Sequence, residues 1–546
     1  MKRKAVAAVL TAVMVASMFT GCGSDNGSSS AMRASAASAA SAANDTVDED
    51  GKVNGIMYQE GLPLVDEGDY TFSIFCDDSS ESGEFIMLDE FKKQTNVDVD
   101  LKIYPYETAT ERLNLDLNSG DYADVIGGWT LSDNAILTYG VNQGVFIPLE
   151  DYFEKYCPNI SAILDLPGVR EKMTAPDGHI YTIPYVCTDT TVGYSPYINT
   201  KWLENVGMSM PTTTDEFEAV LKAFKEQDAN GNGDASDEIP FSTDPNNKHI
   251  EAMAGYFGLP MNKLGIAIQN EKVVYGGVSD TYREFLSWFH KLYAEGLVDV
   301  ELYTQDSSTW EGKGNQDLYG VSIAYGSNEF TGIPAAEERG DFDSMPVLNT
   351  DKDGIWLRDT EGFSVYRTQA VITNKAEHPE IICRWFDNAF ALENGIGCNR
   401  GPVGVIVNKE DDGYHAIDTT TLSEEDQEKY SWGNLWPQSL PKYLPVDFEF
   451  VEEHPMYDEK KATEEAYEAN LTKEIIPSYW IDLDKIDTFS DTNTAIKDFF
   501  EQQQAQFVCG ELDIDNDADW QAYVDGMYSL GLEDWVATQG IEEIAK

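Results

Sequence analysis

Between Tyr70 and Gly128 the hydrophobic period of the sequence switches back and forth, and that alternation constrains the fold more than any other feature. YTFSIFCDD alternates with β-branched and aromatic residues from Tyr70 to Phe75, the signature of a strand. FIMLDEFKKQ then spaces its apolar residues as a helix does, VDVDLKIYP alternates again, and LNLDLNSGDYADVIGG gives a helix, a glycine turn and a short apolar strand at Asp124–Ile126. A β-α-β-α-β order of this kind predicts an α/β lobe built on a largely parallel sheet. Ligands of such sheets bind beyond the carboxyl ends of the strands, which nominates Asp77–Ser79 and Gly127–Trp129 as edges of a cleft.

The rest of the chain is too long for one lobe. Single domains mostly run to about 100–200 residues, and this chain has 546. From Lys201 the pattern is mostly helical, with Thr213 or Thr214 able to cap a helix that opens on Asp215 and Glu216. In YREFLSWFHKLYAEG the residues Tyr282, Phe285, Phe289 and Leu292 share one face, a core stripe and not a ligand box. LYGVSIAYG, Leu318 to Gly326, reads as a strand returning to the first lobe, and IICRWFDNAF and DWQAYVDGMYSLGLEDWVATQG read as amphipathic helices.

The N-terminus reads as an export signal. Lys2, Arg3 and Lys4 precede an apolar run from Ala5 to Met18, shorter than the roughly 20 residues that cross a bilayer. The run closes on FTGC, where small residues before Cys22 resemble a bacterial lipobox, although Phe19 stands where leucine is usual. An ordinary signal peptide followed by a chance cysteine is the alternative. Residues 1–22 are thus expected to be a lipoprotein signal and Cys22 the lipidated residue. The Ser/Ala/Gly-rich stretch 23–57 is expected to tether a body that starts near Tyr58. Cys76, Cys157, Cys187, Cys383, Cys398 and Cys509 are dispersed with no short paired spacing, which favours buried thiols over a disulfide framework.

Charge removes whole classes of function. The 97 acidic against 37 basic residues give a formal charge of −60, which repels phosphate backbones and anionic headgroups. Nucleic-acid binding is excluded on this ground, and contact with a membrane is expected through the anchor alone. Enzyme signatures are absent too. His179, His249, His290, His378, His415 and His454 are scattered with no HExxH, and there is no GxSxG turn and no P-loop. A carboxylate pair of glycosidase type remains open, as it must in so acidic a chain.

DANGNGDASDEIP, Asp228 to Pro240, gathers oxygen ligands in one glycine loop. Calcium takes about six to eight oxygens, and alternate side chains of a turning loop reach one centre. An EF-hand would place glutamate at its last ligand position, which here is Ile239, so the loop is not an EF-hand. An unmetallated Asn/Gly turn is the plain alternative.

With SGDYADVI, GVFIPLEDYFEKYCPNI, PDGHIYTIPY, KWLENVGMSMPTTTDEFEAVLKAF, DANGNGDASDEIP and FVCGELDIDNDADWQAYVDGMYSLGL in this order, the chain resembles the extracellular solute-binding proteins of family 1. It is similar in particular to the large lipoproteins that bind alginate and pectin oligosaccharides for ABC importers. The resemblance implies a type II periplasmic-binding fold: two α/β lobes joined by hinge strands, closing over a sugar. The lobes are expected at 58–186 with 318–372, and at 187–317 with 373–546. Crossings are expected near Val186–Tyr197, Leu318–Gly326 and Val365–Ile372. It implies a structural calcium held by Asp228, Asn230, Asn232, Asp234, Asp237 and Glu238, with Asp234 reaching it through its backbone carbonyl. It also implies an oligosaccharide ligand, ABC permease partners, and a monomer anchored on the extracellular face of the cell membrane.

A sugar site needs aromatic platforms for C–H faces and polar groups for hydroxyls. With 11 Trp, 28 Tyr and 24 Phe, most aromatics must be core, so position selects the candidates. Trp129 follows a strand and two glycines; Trp310 sits in the polar run SSTWEGKGNQ; Tyr325 ends a strand; Trp432 and Trp436 lie in the loop SWGNLWPQ. Arg400, in CNRGP, would bind a hydroxyl or a uronate carboxylate, or form a structural salt bridge. Asp77 would accept hydroxyls or merely end its strand. The overall acidity favours neutral glycans over uronates, a preference that Arg400 and local lysines could reverse. A secreted glycoside hydrolase and a polysaccharide-binding adhesin are the rival readings.

Overall fold

The structure, a computed structural model, describes residues 45–546 apart from 79–83, 246–248, 333–340, 418, 446, 447, 449, 452–454, 542 and 546. The signal peptide, Cys22, Ser79, His454 and most of the tether lie outside the described residues.

The first sheet follows the alternation in the sequence. Strand Tyr70–Asp77 runs parallel to Val97–Tyr104 on one side and to Val125–Gly127 on the other. Helices Ile86–Thr95 and Tyr106–Ser119 supply the crossovers; the second stops at Gly120, whose φ of 76° suits a left-handed cap. A fourth strand, Ala370–Ile372, joins antiparallel beside Val125–Gly127.

The second sheet has Ser195–Asn199 between Phe342–Ser344 and Tyr319–Ala324, both antiparallel to it, with Ile239–Thr243 parallel to Tyr319–Ala324 at the far edge. Strand Tyr319–Ala324 therefore does not return to the first lobe, as its sequence suggested. It is buried along its whole length, and Val321 and Ile323 pack in the second core. A buried strand's apolar run reports burial but not its partner.

The lobe boundaries shift for the same reason. One core unites Val53 through Val186 with Ala370 through Leu440, including Ile381, Trp385, Cys398 and Trp436. The other unites Val192 through Trp356 with Tyr467 through Ala545. The described residues of 319–356 thus pack with the second sheet, and those of 373–440 with the first, opposite to the expected division. The chain passes between the cores in the stretches 186–192, 356–370 and 440–467. Two of these carry the strands Tyr185–Thr188 and Phe363–Tyr366, which pair antiparallel as a two-stranded ladder joining the halves. The body also begins before Tyr58: Val53 and Met57 are fully buried in the first core, and the Tyr156 hydroxyl donates to Asp45 at 2.8 Å.

Local readings hold at several points. Thr213 caps helix Thr214–Glu226 by accepting from the Glu216 N–H, and the Glu216 carboxylate reaches back to the Thr212 N–H and hydroxyl. Tyr282, Phe285, Phe289 and Leu292 are buried on one face of helix Asp280–Ala294. The six cysteines of the described region are thiols, four of them buried, whereas Cys509 is exposed. No helix among the described residues is long and apolar enough to cross a membrane.

Candidate ligand-binding site

The carboxyl end of strand Tyr70–Asp77 builds the first part of the site. Asp77 is fully buried, and its two carboxylate oxygens accept the backbone N–H groups of Trp129, at 3.0 Å, and Thr130, at 2.7 Å. Burial raises its carboxyl above the ordinary range, opposed by those two amides. Asp77 therefore does not meet a ligand; it fixes the turn that presents Trp129. Gly128 is required there. Its φ is 134°, and a Cβ on it would fall 2.3 Å from Asp77 Oδ1. Gly128→Ala is expected to cost about 1–3 kcal/mol of stability, read from urea unfolding midpoints.

The Trp129 ring is 47% exposed. It lies edge-to-face on Tyr366, with centroids 5.3 Å apart, and 6.4 Å from Tyr185. Tyr185 and Tyr366 are register partners on the joining ladder, and their rings stack at 5.4 Å. Just beyond the ladder, Asp189 accepts from the hydroxyls of Tyr366, Ser364 and Tyr325. Tyr325, at the end of the second sheet's strand Tyr319–Ala324, stands 6.0 Å from Tyr194, which stacks on His249 at 4.0 Å. The aromatic group thus runs from the first sheet, across the ladder, to the second.

Helix Pro455–Tyr467 fastens the second half of the group. Lys460 Nζ lies 3.7 Å from the centre of the Tyr325 ring and donates to the Gly193 carbonyl at 2.8 Å. Glu464 accepts the Thr191 N–H and Glu459 the Ser327 N–H, so both loops that carry the site hang on one helix. Glu329 accepts the Tyr325 N–H at 2.9 Å, and Asp359 the Gly193 N–H at 2.7 Å. Burial pushes Lys460 down to about 8 and Glu329 up to about 7, and burial with the nearby Lys263 pushes His249 down to about 3.

The sequence candidates divide sharply. Trp129 and Tyr325 belong to the group. Trp432 is 54% exposed, with the Lys442 ammonium 5.1 Å from its ring centre, on the segment that packs over the first sheet's carboxyl edge: the Gln438 N–H donates to Asp78 and the Ser439 hydroxyl to the Asp77 carbonyl. Trp310 and Trp436 are corrections. Trp310 is 3% exposed, donates from Nε1 to Ser322 Oγ and packs on Phe330 in the second lobe. Trp436 is fully buried, stacked on Trp385 at 5.7 Å. A polar run flagged Trp310 and a Gly/Pro-punctuated loop flagged Trp436, yet each faces inward. Arg400 lies over the Phe450 ring at 5.7 Å. Tyr185, Asp189, Tyr194, His249, Tyr366 and Lys460 were missed. The available signal was the tyrosines in or beside two of the three stretches expected to cross between lobes, Tyr185 and Tyr194 at the first and Tyr366 at the last. A separate groove of about 570 Å³, bordered by Asn270, Asp353, Leu471 and Lys473, contains none of these residues.

The Asp228 loop closes on itself between helix Thr214–Glu226 and strand Ile239–Thr243. Gly231 and Gly233 take φ of 76° and 96°. The carboxamides of Asn230 and Asn232 donate to the two oxygens of Asp237, and their carbonyl oxygens accept the N–H groups of Asn232 and Asp234. Two buried carboxylate oxygens, Asp228 Oδ1 and Glu238 Oε2, lack a hydrogen-bond donor. Burial, with Asp237 adjacent, raises Glu238 above the usual carboxylate range. This donor set fits a hard cation. The Asp234 Oδ1 accepts the Ser236 N–H and hydroxyl. A grouping the sequence did not suggest, Glu410, Asp412 and His415, lies within 4.8 Å on an exposed hairpin, where His415 is paired with Asp412.

A family model for the bacterial extracellular solute-binding proteins matches residues 79–395, more than half of the chain. The chain belongs to that family. Among solute-binding proteins of known sequence, the fructooligosaccharide ABC transporter substrate-binding protein FusA of Streptococcus pneumoniae is 33% identical over 335 residues, which are 59% of this chain and 61% of FusA. The chain thus aligns with about three fifths of that relative's length. A structure of a FusA EF-hand mutant in complex with fructo-nystose has a TM-score of 0.75 at 27% identity, covering 86% of this chain and 98% of that one. The alginate-binding protein AlgQ2, in a crystal structure without calcium ion, has a TM-score of 0.70 at 22% identity, covering 88% of this chain and 99% of that one, and shows the shared fold. The two-lobe α/β fold expected from sequence is the fold of these solute-binding proteins.

Proposed function

We propose that this solute-binding protein captures an oligosaccharide outside the cell and delivers it, chemically intact, to the permease of an ABC importer. The observation that carries the reading is the aromatic group gathered on Asp189 where the ladder joins the two sheets. Trp129 stands on one side, and Tyr194 and Tyr325 on the other. A sugar chain laid across it would touch both lobes, and its tighter binding to the closed arrangement would shift the population that way. The crossing strands Tyr185–Thr188 and Phe363–Tyr366 are the natural hinge. Family membership and the FusA likeness support the carrier over the hydrolase and the adhesin. Cys22 would carry the lipid that holds the monomer on the outer face of the membrane.

Titrating the mature protein calorimetrically with oligosaccharides, then analysing the recovered sugar, tests this reading. Saturable binding with the sugar unchanged is expected. Shortened products would make it a hydrolase, and heat from no saccharide would remove the sugar-binding reading.

The Asp228 loop is read as a structural calcium site held by Asp228, Asn230, Asn232, Asp237 and Glu238, with the Asp234 carbonyl. Its orphaned buried oxygens support this. The ion would supply positive charge that ties the end of helix Thr214–Glu226 to strand Ile239–Thr243. Calcium at about 100 times its Kd is expected to raise the stability of chelator-treated protein by about 2–3 kcal/mol. Asp228→Ala should abolish the gain; no gain in the unaltered protein would remove the site.

A further inference from the structure

We propose that the second-lobe wall of the site, formed by Asp189, Glu329 and Asp359 around Tyr325, restricts the ligand to neutral, hydroxyl-bearing glycans and rejects uronates. This deepens the function proposed above and rests on it.

Three carboxylates stand around Tyr325 and the neighbouring Gly193–Tyr194 turn. Asp189 accepts the Tyr325 hydroxyl, Glu329 accepts the Tyr325 N–H, and Asp359 accepts the Gly193 N–H beside Tyr194. Asp244 and Glu311 add negative charge near Glu329, which helps burial keep that carboxyl high. Asp359 is exposed to solvent. Against these carboxylates stands Lys460, with Lys263 farther off beside His249. Lys460 is buried, its ammonium donates to the Gly193 carbonyl, and it covers one side of the Tyr325 ring. His249, stacked on Tyr194, is neutral at physiological pH.

Carboxylates accept hydrogen bonds and donate none when ionised, so they suit sugar hydroxyls. A uronate brought here would set its charge against Asp189 and Asp359, with Glu329, pushed up to about 7, adding part of a charge, and such like-charge contacts discriminate between ligands. Lys442 is buried, with its ammonium donating to Gln438 Oε1 and facing the Trp432 ring, and the Arg400 guanidinium lies over Phe450.

The test is calorimetry on the mature protein with calcium present. Fructo-, xylo-, malto- and manno-oligosaccharides of three to five units (about the span of such a cleft) are compared with galacturonate and alginate oligomers of equal length. At least one neutral series is expected to bind, with uronates at least about a hundredfold weaker. The Glu329→Gln/Asp359→Asn double variant should narrow that ratio by about tenfold or more, and raising the salt concentration should narrow it in the unaltered protein. Uronates binding as well as or better than neutral sugars would overturn this inference and leave the carrier function standing. An unchanged ratio in both the variant and high salt would overturn it too. Silence toward both classes would overturn the carrier function itself, and this inference with it.

Discussion

Replacing Trp129 with alanine is expected to weaken saccharide binding by at least about 30-fold while leaving the fold intact. Central aromatic anchors in binding sites cost about 2 kcal/mol or more when truncated. Trp129 has the features of one: half its surface is open, its edge rests on Tyr366, and its backbone is pinned by a buried carboxylate. Little core packing is lost with it, so the urea midpoint should correspond to a change within about 1 kcal/mol. Calorimetric titration beside urea unfolding separates the two quantities. Undiminished affinity in Trp129→Ala would show that the ring is not a platform.

The opposite pattern is expected at Trp436, only four residues from the exposed Trp432. Trp436 is fully buried between Trp385 and Phe91, in the core of the first lobe. Trp436→Ala should destabilise that lobe by about 3–5 kcal/mol, the usual cost of emptying a large aromatic site. Trp432→Ala should cost less than about 1 kcal/mol, because its ring is open to solvent and gives up one cation–π contact with Lys442. Equal unfolding midpoints for the two variants would contradict the assignment of Trp436 to the core.

This pair also shows what the sequence could and could not convey. SWGNLWPQ places two tryptophans in one punctuated loop, and no local pattern distinguishes them. Burial is decided by the strand ends against which the loop packs. Local chemistry was legible wherever it closes over a few residues. Examples are the parallel crossovers from Tyr70 to Gly127, the Thr213 cap with Glu216, and the glycine turns of the Asp228 loop. Partnership across the molecule was not. The chain leaves one core for the other three times, so the apolar strand Tyr319–Ala324 and the amphipathic helix Pro379–Ala389 each read correctly as elements and incorrectly as to lobe. The site escaped for a related reason. Asp189, Tyr194 and Tyr366 sit in the crossings themselves, where residues distant in sequence meet only once the ladder has formed.

A crystal structure of the protein with a bound neutral oligosaccharide tests the central claim most directly. The account predicts an uncleaved sugar chain with one ring on Trp129 and another by Tyr325 and Tyr194, its hydroxyls turned toward Asp189, and the two sheets drawn together across it. A sugar lodged instead in the groove beside Asn270 and Lys473, with the Trp129 face bare, would contradict it.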